Sequence, residues 1–143
     1  MEPVDVDVNV LLNAVNCEAL QHEPARRWLE DALSTERAVA LDWTVLTAFL
    51  RLSTSASVFS QPLVIDDAAA IVEDWLARPN TVVLEPTARH LGIMRGLLAP
   101  TGSAGNLVDD AHLAALALEH GAEIVTFDRD FGRFAGLRWS IPS

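Results

Sequence analysis

The chain has 143 residues, and half of them are apolar. This excludes a disordered chain, while frequent charges leave no run of ~18 apolar residues to span a bilayer. Ten basic residues against 20 acidic ones leave a formal charge of −10, and all ten are arginine. A chain without lysine is neither a P-loop NTPase nor a Schiff-base enzyme, and its acidity argues against a broad basic face for nucleic acid.

The length suits one domain over residues 1–143. Pro3 to Asp7, running into Val8-Asn9-Val10, is β-branched, and its core predicts the first strand, with a short helical piece over Leu11 to Val15. His22 to Leu33 predicts an amphipathic helix, with Ala25, Trp28, Leu29, Ala32 and Leu33 on one face. Ala38 to Leu41 is a second strand, and Asp42 caps a helix from Trp43 to about Thr54. A polar loop over Ser53 to Pro62 leads to a helix capped by Asp66 and ended by Pro79. Thr81 to Leu84 is a third strand, and a helix over Thr87 to Ala99 follows, bracketed by prolines. Thr101 to Gly105 reads as a loop, after which Asn106 caps a long helix that stops at Gly121. Glu123 to Thr126 is a fourth strand, Asp128 to Phe134 a helical turn, and Leu137 to Trp139 an edge strand. Strands alternating with helices predict an α/β fold with a mainly parallel sheet, whose sites lie beyond the carboxyl ends of its strands.

That rule directs attention to acidic residues. Asp7 ends the first strand, Asp128 follows the fourth, and Asp109 and Asp110 open the long helix. Converging carboxylates repel one another, and a hard divalent cation relieves the repulsion, activates water and screens a phosphate. Asp109 reads as a cap or dipole partner, and Asp5 as a solvent-facing or turn residue. His22, His90, His112 and His120 lack zinc-site spacing. His112 lies about 200° around the helix from Asp110 and reads as structural. The four tryptophans read as core or interface anchors. The lone Cys17 permits no internal disulfide and has no basic neighbour to activate it. With no basic stretch before an apolar one at the start, a cytoplasmic location is expected.

The motifs also carry a resemblance. Asp7-Val8-Asn9-Val10-Leu11-Leu12 resembles the Asp-x-Asn opening of PIN domains, Asn106-Leu107-Val108-Asp109-Asp110-Ala111-His112 their later acidic helix, and Thr126-Phe127-Asp128-Arg129-Asp130-Phe131 their closing motif. His22, Ala25, Trp28 and Phe49-Leu50-Arg51 are similar to further family positions, so the resemblance spans nearly the whole chain. It is strongest to VapC-type toxins of prokaryotic toxin–antitoxin pairs. What it implies is a three-layer α/β/α domain and an endoribonuclease dependent on Mg²⁺ or Mn²⁺. It assigns metal binding to Asp7, Asp110 and Asp128, with Asp130 in support, and catalysis to the first three. Asn9 and Thr126 would orient carboxylates, and Arg51 and Arg129 would contact the RNA backbone. A cognate antitoxin, RNA and a second copy of the chain are the implied partners. One position departs from the pattern: Ala48 stands where many PIN domains carry a glutamate just before Phe-Leu-Arg, which leaves one or two metals open.

Two alternatives remain from the sequence. Asp5-x-Asp7 after a strand resembles the opening of haloacid-dehalogenase-like phosphatases, in which the first Asp is the nucleophile, although Asn9 and the missing lysine depart from that pattern. A catalytically weak PIN fold kept for binding is the other.

Overall fold

The structure is a computed structural model that describes residues 2–102 and 105–143. Five short strands form one sheet: β1 (Val4–Val6), β2 (Val39–Leu41), β3 (Thr81–Val83), β4 (Glu123–Val125) and β5 (Trp139–Ser140). Their order is β3-β2-β1-β4-β5 and every pairing is parallel. Parallel neighbours require crossovers, and helices supply them: α1 (Val8–Val15), α2 (His22–Leu33), α3 (Trp43–Ser53), α4 (Ile65–Ala77), α5 (His90–Leu98) and α6 (Val108–His120). Helix α1 packs on α2 and α3, α3 on α4, and α5 on α6, so helices α1–α4 and the α5–α6 pair form separate layers about the sheet.

Several boundaries differ from those the sequence predicts. Strand β1 ends at Val6, because the Asp7 side chain accepts from the Val8 N–H and starts α1 at once. Helix α4 begins at Ile65, with Asp66 in its first turn rather than at its cap. Helix α5 begins only at His90, because Thr87 donates its N–H and its hydroxyl to Glu119 of α6, at 2.8 Å and 2.5 Å, instead of entering a helical turn. A 3₁₀ turn over Gly105–Leu107 precedes α6, which puts Leu107 at the cap position expected for Asn106. Of the loop expected over 101–105, residues 103 and 104 lie outside the described residues. Gly121 ends α6 with φ +65°, as a helix-stopping glycine does. No helix among the described residues is long and apolar enough to cross a membrane.

The core is a sandwich of β-branched strands and apolar helix faces. Val4, Val6, Val39, Leu41, Ile124 and Val125 are buried on the strands. Phe49 of α3 is fully buried and meets Trp75 of α4 edge-on, with ring centroids 4.8 Å apart. On α6, Ala111, Ala114, Ala115 and Ala117 are all buried. Their small side chains let that helix lie close against the sheet, where Leu116 meets Ala40 and Leu84. Phe49→Ala removes one of the two largest fully buried side chains, and the expected cost is about 3–5 kcal/mol in a denaturant melt. A loss below about 1 kcal/mol would show that α3 and α4 close over the gap.

Candidate metal centre

The strand order reverses direction between β1 and β4, and the crevice beyond their carboxyl ends is where such sheets hold their ligands. Asp7 leaves β1 at that point, its N–H donating to the Val125 carbonyl at 3.0 Å. Its carboxylate is held from both sides. Oδ1 accepts from the Val8 N–H at 2.7 Å, and Oδ2 accepts from the Thr126 hydroxyl at 2.8 Å and from Asn9 Nδ2 at 3.3 Å. The Thr126 oxygen, fully buried, accepts in turn from Asn9 Nδ2 and from the Asp128 N–H. Asn9 Oδ1 accepts from the Phe127 N–H at 3.1 Å. One polar knot therefore stitches the end of β1 to the end of β4.

Asp110 comes to the same place from the first turn of α6. Its carboxyl is pushed up to about 6, first by burial and then by the charges of Asp7 and Asp128. Asp7 is also raised, by burial first, although its hydrogen bonds from Thr126 and Val8 pull the other way. Asp128 caps its own turn by accepting from the Asp130 N–H at 2.9 Å, and its charge acts on both of the others. An open cleft of about 400 Å³ lies here, lined by Asp7, Asp42, Thr44, Ala48, Arg51, Asp110 and His112 among others.

Not every expected residue joins the group. Asp130 is exposed and pairs with Arg133 at 3.2 Å, and neither it nor Arg129 lines the cleft. Asp109 does line it, from an exposed position. Asp5 is neither solvent-facing nor in a turn: it is 0% exposed, in the middle of the central strand, between Ala40 and Ile124. Burial pushes its carboxyl well up, with Asp42 and Asp7 adding to the effect. A side chain so enclosed cannot attack a substrate, which overturns the phosphatase reading that made Asp5 a nucleophile.

Two cleft residues were not expected. Asp42 follows β2, the strand beside β1, and the carboxyl-end rule applied to every strand would have found it. His112 reaches the cleft because the cleft is wide enough to be lined by both sides of α6. Its Nε2 lies 3.1 Å from the Thr44 hydroxyl, and its Nδ1 lies 2.9 Å from His90 Nε2. His90 Nδ1 meets Glu119 Oε2 at 2.5 Å. A carboxylate only accepts, so His90 Nδ1 donates; with both rings neutral, His112 then donates to His90 and Thr44 donates to His112.

The donors at the centre are carboxylate oxygens, which suit a hard cation such as Mg²⁺ or Mn²⁺. Among the described residues no three His, Cys, Asp or Glu side chains stand close enough to hold an ion between them. Mg²⁺ fits such a place, since it takes one or two carboxylates and keeps several waters. Asp42, a cleft-lining residue, has its Oδ2 buried without a hydrogen-bond partner, a group that a cation or water would satisfy, while both Asp5 oxygens are unpartnered in the core, outside the cleft lining. Without metal, the raised Asp110 makes a prediction about stability. An acid whose folded-state pKa is raised loses stability as pH climbs from 3.8 to about 6. In chelator, Asp110→Asn therefore melts higher than the parent at pH 8, and the gap closes as pH falls through that window. Equal melting temperatures at pH 8 would show that the repulsion is screened by solvent.

Comparison with known proteins agrees with this architecture. The family model described as "PIN domain" matches residues 5–137. The chain is 50% identical to Ribonuclease VapC37 of Mycobacterium tuberculosis over 137 residues, 96% of this chain and 95% of that one. It is 43% identical to Ribonuclease VapC33 of the same species over 136 residues, 95% of each chain. Solved structures share the fold at lower identity. VapBC2 from Rickettsia felis, bound to a DNA fragment from its promoter, has a TM-score of 0.72 and 18% identity over 99% of each chain. DNA-bound VapBC from Salmonella typhimurium has a TM-score of 0.71 and 22% identity over 100% of each chain. With its family model spanning nearly the whole sheet and every crossover, this chain belongs to the PIN domain family.

Proposed function

We propose that this chain is an endoribonuclease dependent on Mg²⁺ or Mn²⁺, and the toxin of a type II toxin–antitoxin pair. The observation that carries the reading is that Asp7, Asp110 and Asp128 lie near enough at the switch point of a parallel sheet for their charges to act on one another, with Asp7 and Asp110 lining an open cleft. The relatives named ribonucleases, matched over nearly their full length, support RNA as the substrate class.

In this reading Asp7 and Asp110 hold the cation and Asp128 completes the acidic set. A divalent cation there supplies an activated water and neutralises charge on the phosphate under attack. The chain's own residues do the rest. Thr126 and Asn9 fix the Asp7 carboxylate, so its oxygens stay in place while the phosphodiester enters. Arg51, exposed on the cleft's rim, is placed to pair with a backbone phosphate. Arg129, outside the cleft lining, would touch only RNA that runs beyond it. Asp130, paired with Arg133, would act by holding the turn that carries Asp128.

An antitoxin and a second copy of the chain are the expected partners. The solved structures that share the fold are named VapBC, which supports an antitoxin as partner. The exposed apolar side chains of Trp43, Val64, Ile65 and Leu91 are surface that partners would cover.

The test is cleavage of total RNA by antitoxin-free protein with Mg²⁺, with Mn²⁺ and with chelator. Discrete metal-dependent cuts are expected. Asp7→Asn and Asp110→Asn are each expected to lose ~10²-fold or more in rate, about 2.7 kcal/mol of barrier. Thr126→Val is expected to lose about 10–100-fold, because Asp7 loses a donor and the Asp128 N–H loses its acceptor. Folded protein that cuts no RNA with either metal, yet binds RNA or a partner, would instead establish a PIN fold kept for binding, with Ala48 as the first residue to suspect.

A further inference from the structure

Asp42 ends β2 and caps α3, its Oδ1 accepting from the Val45 N–H at 2.8 Å. Its other oxygen does nothing of the kind. Oδ2 is buried on a residue only 2% exposed and has no hydrogen-bond partner. His112 Nε2 lies 3.4 Å from it and 3.1 Å from the Thr44 hydroxyl, and its nearness lowers the Asp42 carboxyl against the larger effect of burial. Asp42 is among the residues lining the cleft that Asp7 and Asp110 share.

A cap alone does not need this charge. Asn caps a helix about as well as Asp and would spare the molecule a carboxylate beside Asp5 and Asp7. Both of those groups feel Asp42, and burial raises its own carboxyl. An orphaned buried oxygen in a polar cleft calls for an unseen water or ion. From α3 the same cleft receives Thr44, Thr47, Ala48 and Arg51 among others, but no carboxylate.

Building on the cation site proposed above, we propose that Asp42 is a fourth acid of that site, its Oδ2 serving the hydration shell of the divalent cation beside Asp7 and Asp110. It acts through the shell because the described residues offer no three ligands close enough to share the ion directly. Asp42 thereby supplies from the end of β2 the negative charge that α3 lacks at position 48.

Mn²⁺ binding tests this without RNA. Calorimetric titration with Mn²⁺ would compare the parent with Asp42→Asn, Asp7→Asn and Asp110→Asn, alongside melting in chelator and in excess Mn²⁺. Asp42→Asn keeps the cap and removes the charge. Its expected signature is a Mn²⁺ affinity weakened about 10–100-fold, a melting temperature in chelator no lower than the parent's, and a smaller rise on adding Mn²⁺. If that variant does not fold, Asp42→Ser, another capping residue, carries the measurement. Parental Mn²⁺ affinity in Asp42→Asn, with binding lost in Asp7→Asn and Asp110→Asn, would overturn the role of Asp42 and leave the site standing. Parental affinity in all three variants would overturn the site itself and this inference with it.

Discussion

Like charges brought together at low dielectric are the constraint around which this molecule is built. A parallel sheet points every carboxyl end the same way, so residues that follow adjacent strands become neighbours. Here those residues are acidic: Asp7 after β1, Asp42 after β2 and Asp128 after β4, with Asp110 brought in by α6. Burial raises Asp7, Asp42 and Asp110, and neighbouring carboxylates raise Asp7 and Asp110 further. The core must absorb that cost, and it does so with dense β-branched packing on the strands and a run of alanines that lets α6 lie flat.

The rest of the site is arranged to contain the repulsion. Hydrogen bonds from Thr126, Asn9 and Val8 are spent on one carboxylate, Asp7. The opposite wall is stiffened by the chain from Thr44 through His112 and His90 to Glu119, which joins α3, α6 and α5. Arginine is kept to the rim at Arg51. The cleft thus gathers acidic side chains in an open lining, which would suit a cation.

Much of this was legible in the sequence, and the rest was not, for identifiable reasons. Short β-branched runs such as Val39–Leu41 and Thr81–Val83 announced the strands, and the two-residue step from Asp7 to Asn9 announced the polar knot. Helix starts were less legible, because they depended on bonds to distant elements: Thr87 is held out of α5 by Glu119, 32 residues along the chain. Asp5 was misread because local pattern treats an acid near a strand end as a turn residue, whereas its burial comes from the strands on either side and the helix above. His112 was set aside on helical angle, a measure that says nothing of how wide the neighbouring cleft is. Local pattern identifies Asp42 as a cap, which it is, whereas the unbonded state of its second oxygen depends on elements remote in sequence.

The bonds to Asp7 have one more consequence. A free aspartate side chain rotates among several staggered positions, and a ligand must halt that motion when it binds. Here three donors have already halted it. The loss of rotational entropy falls within the folding equilibrium, where the whole core offsets it, and not within the binding of an ion, where nothing else would. A carboxylate frozen in this way also yields little to an ion of the wrong radius. In the proposed site, rigidity at this one residue would therefore act as a gauge of ionic size as well as a source of affinity.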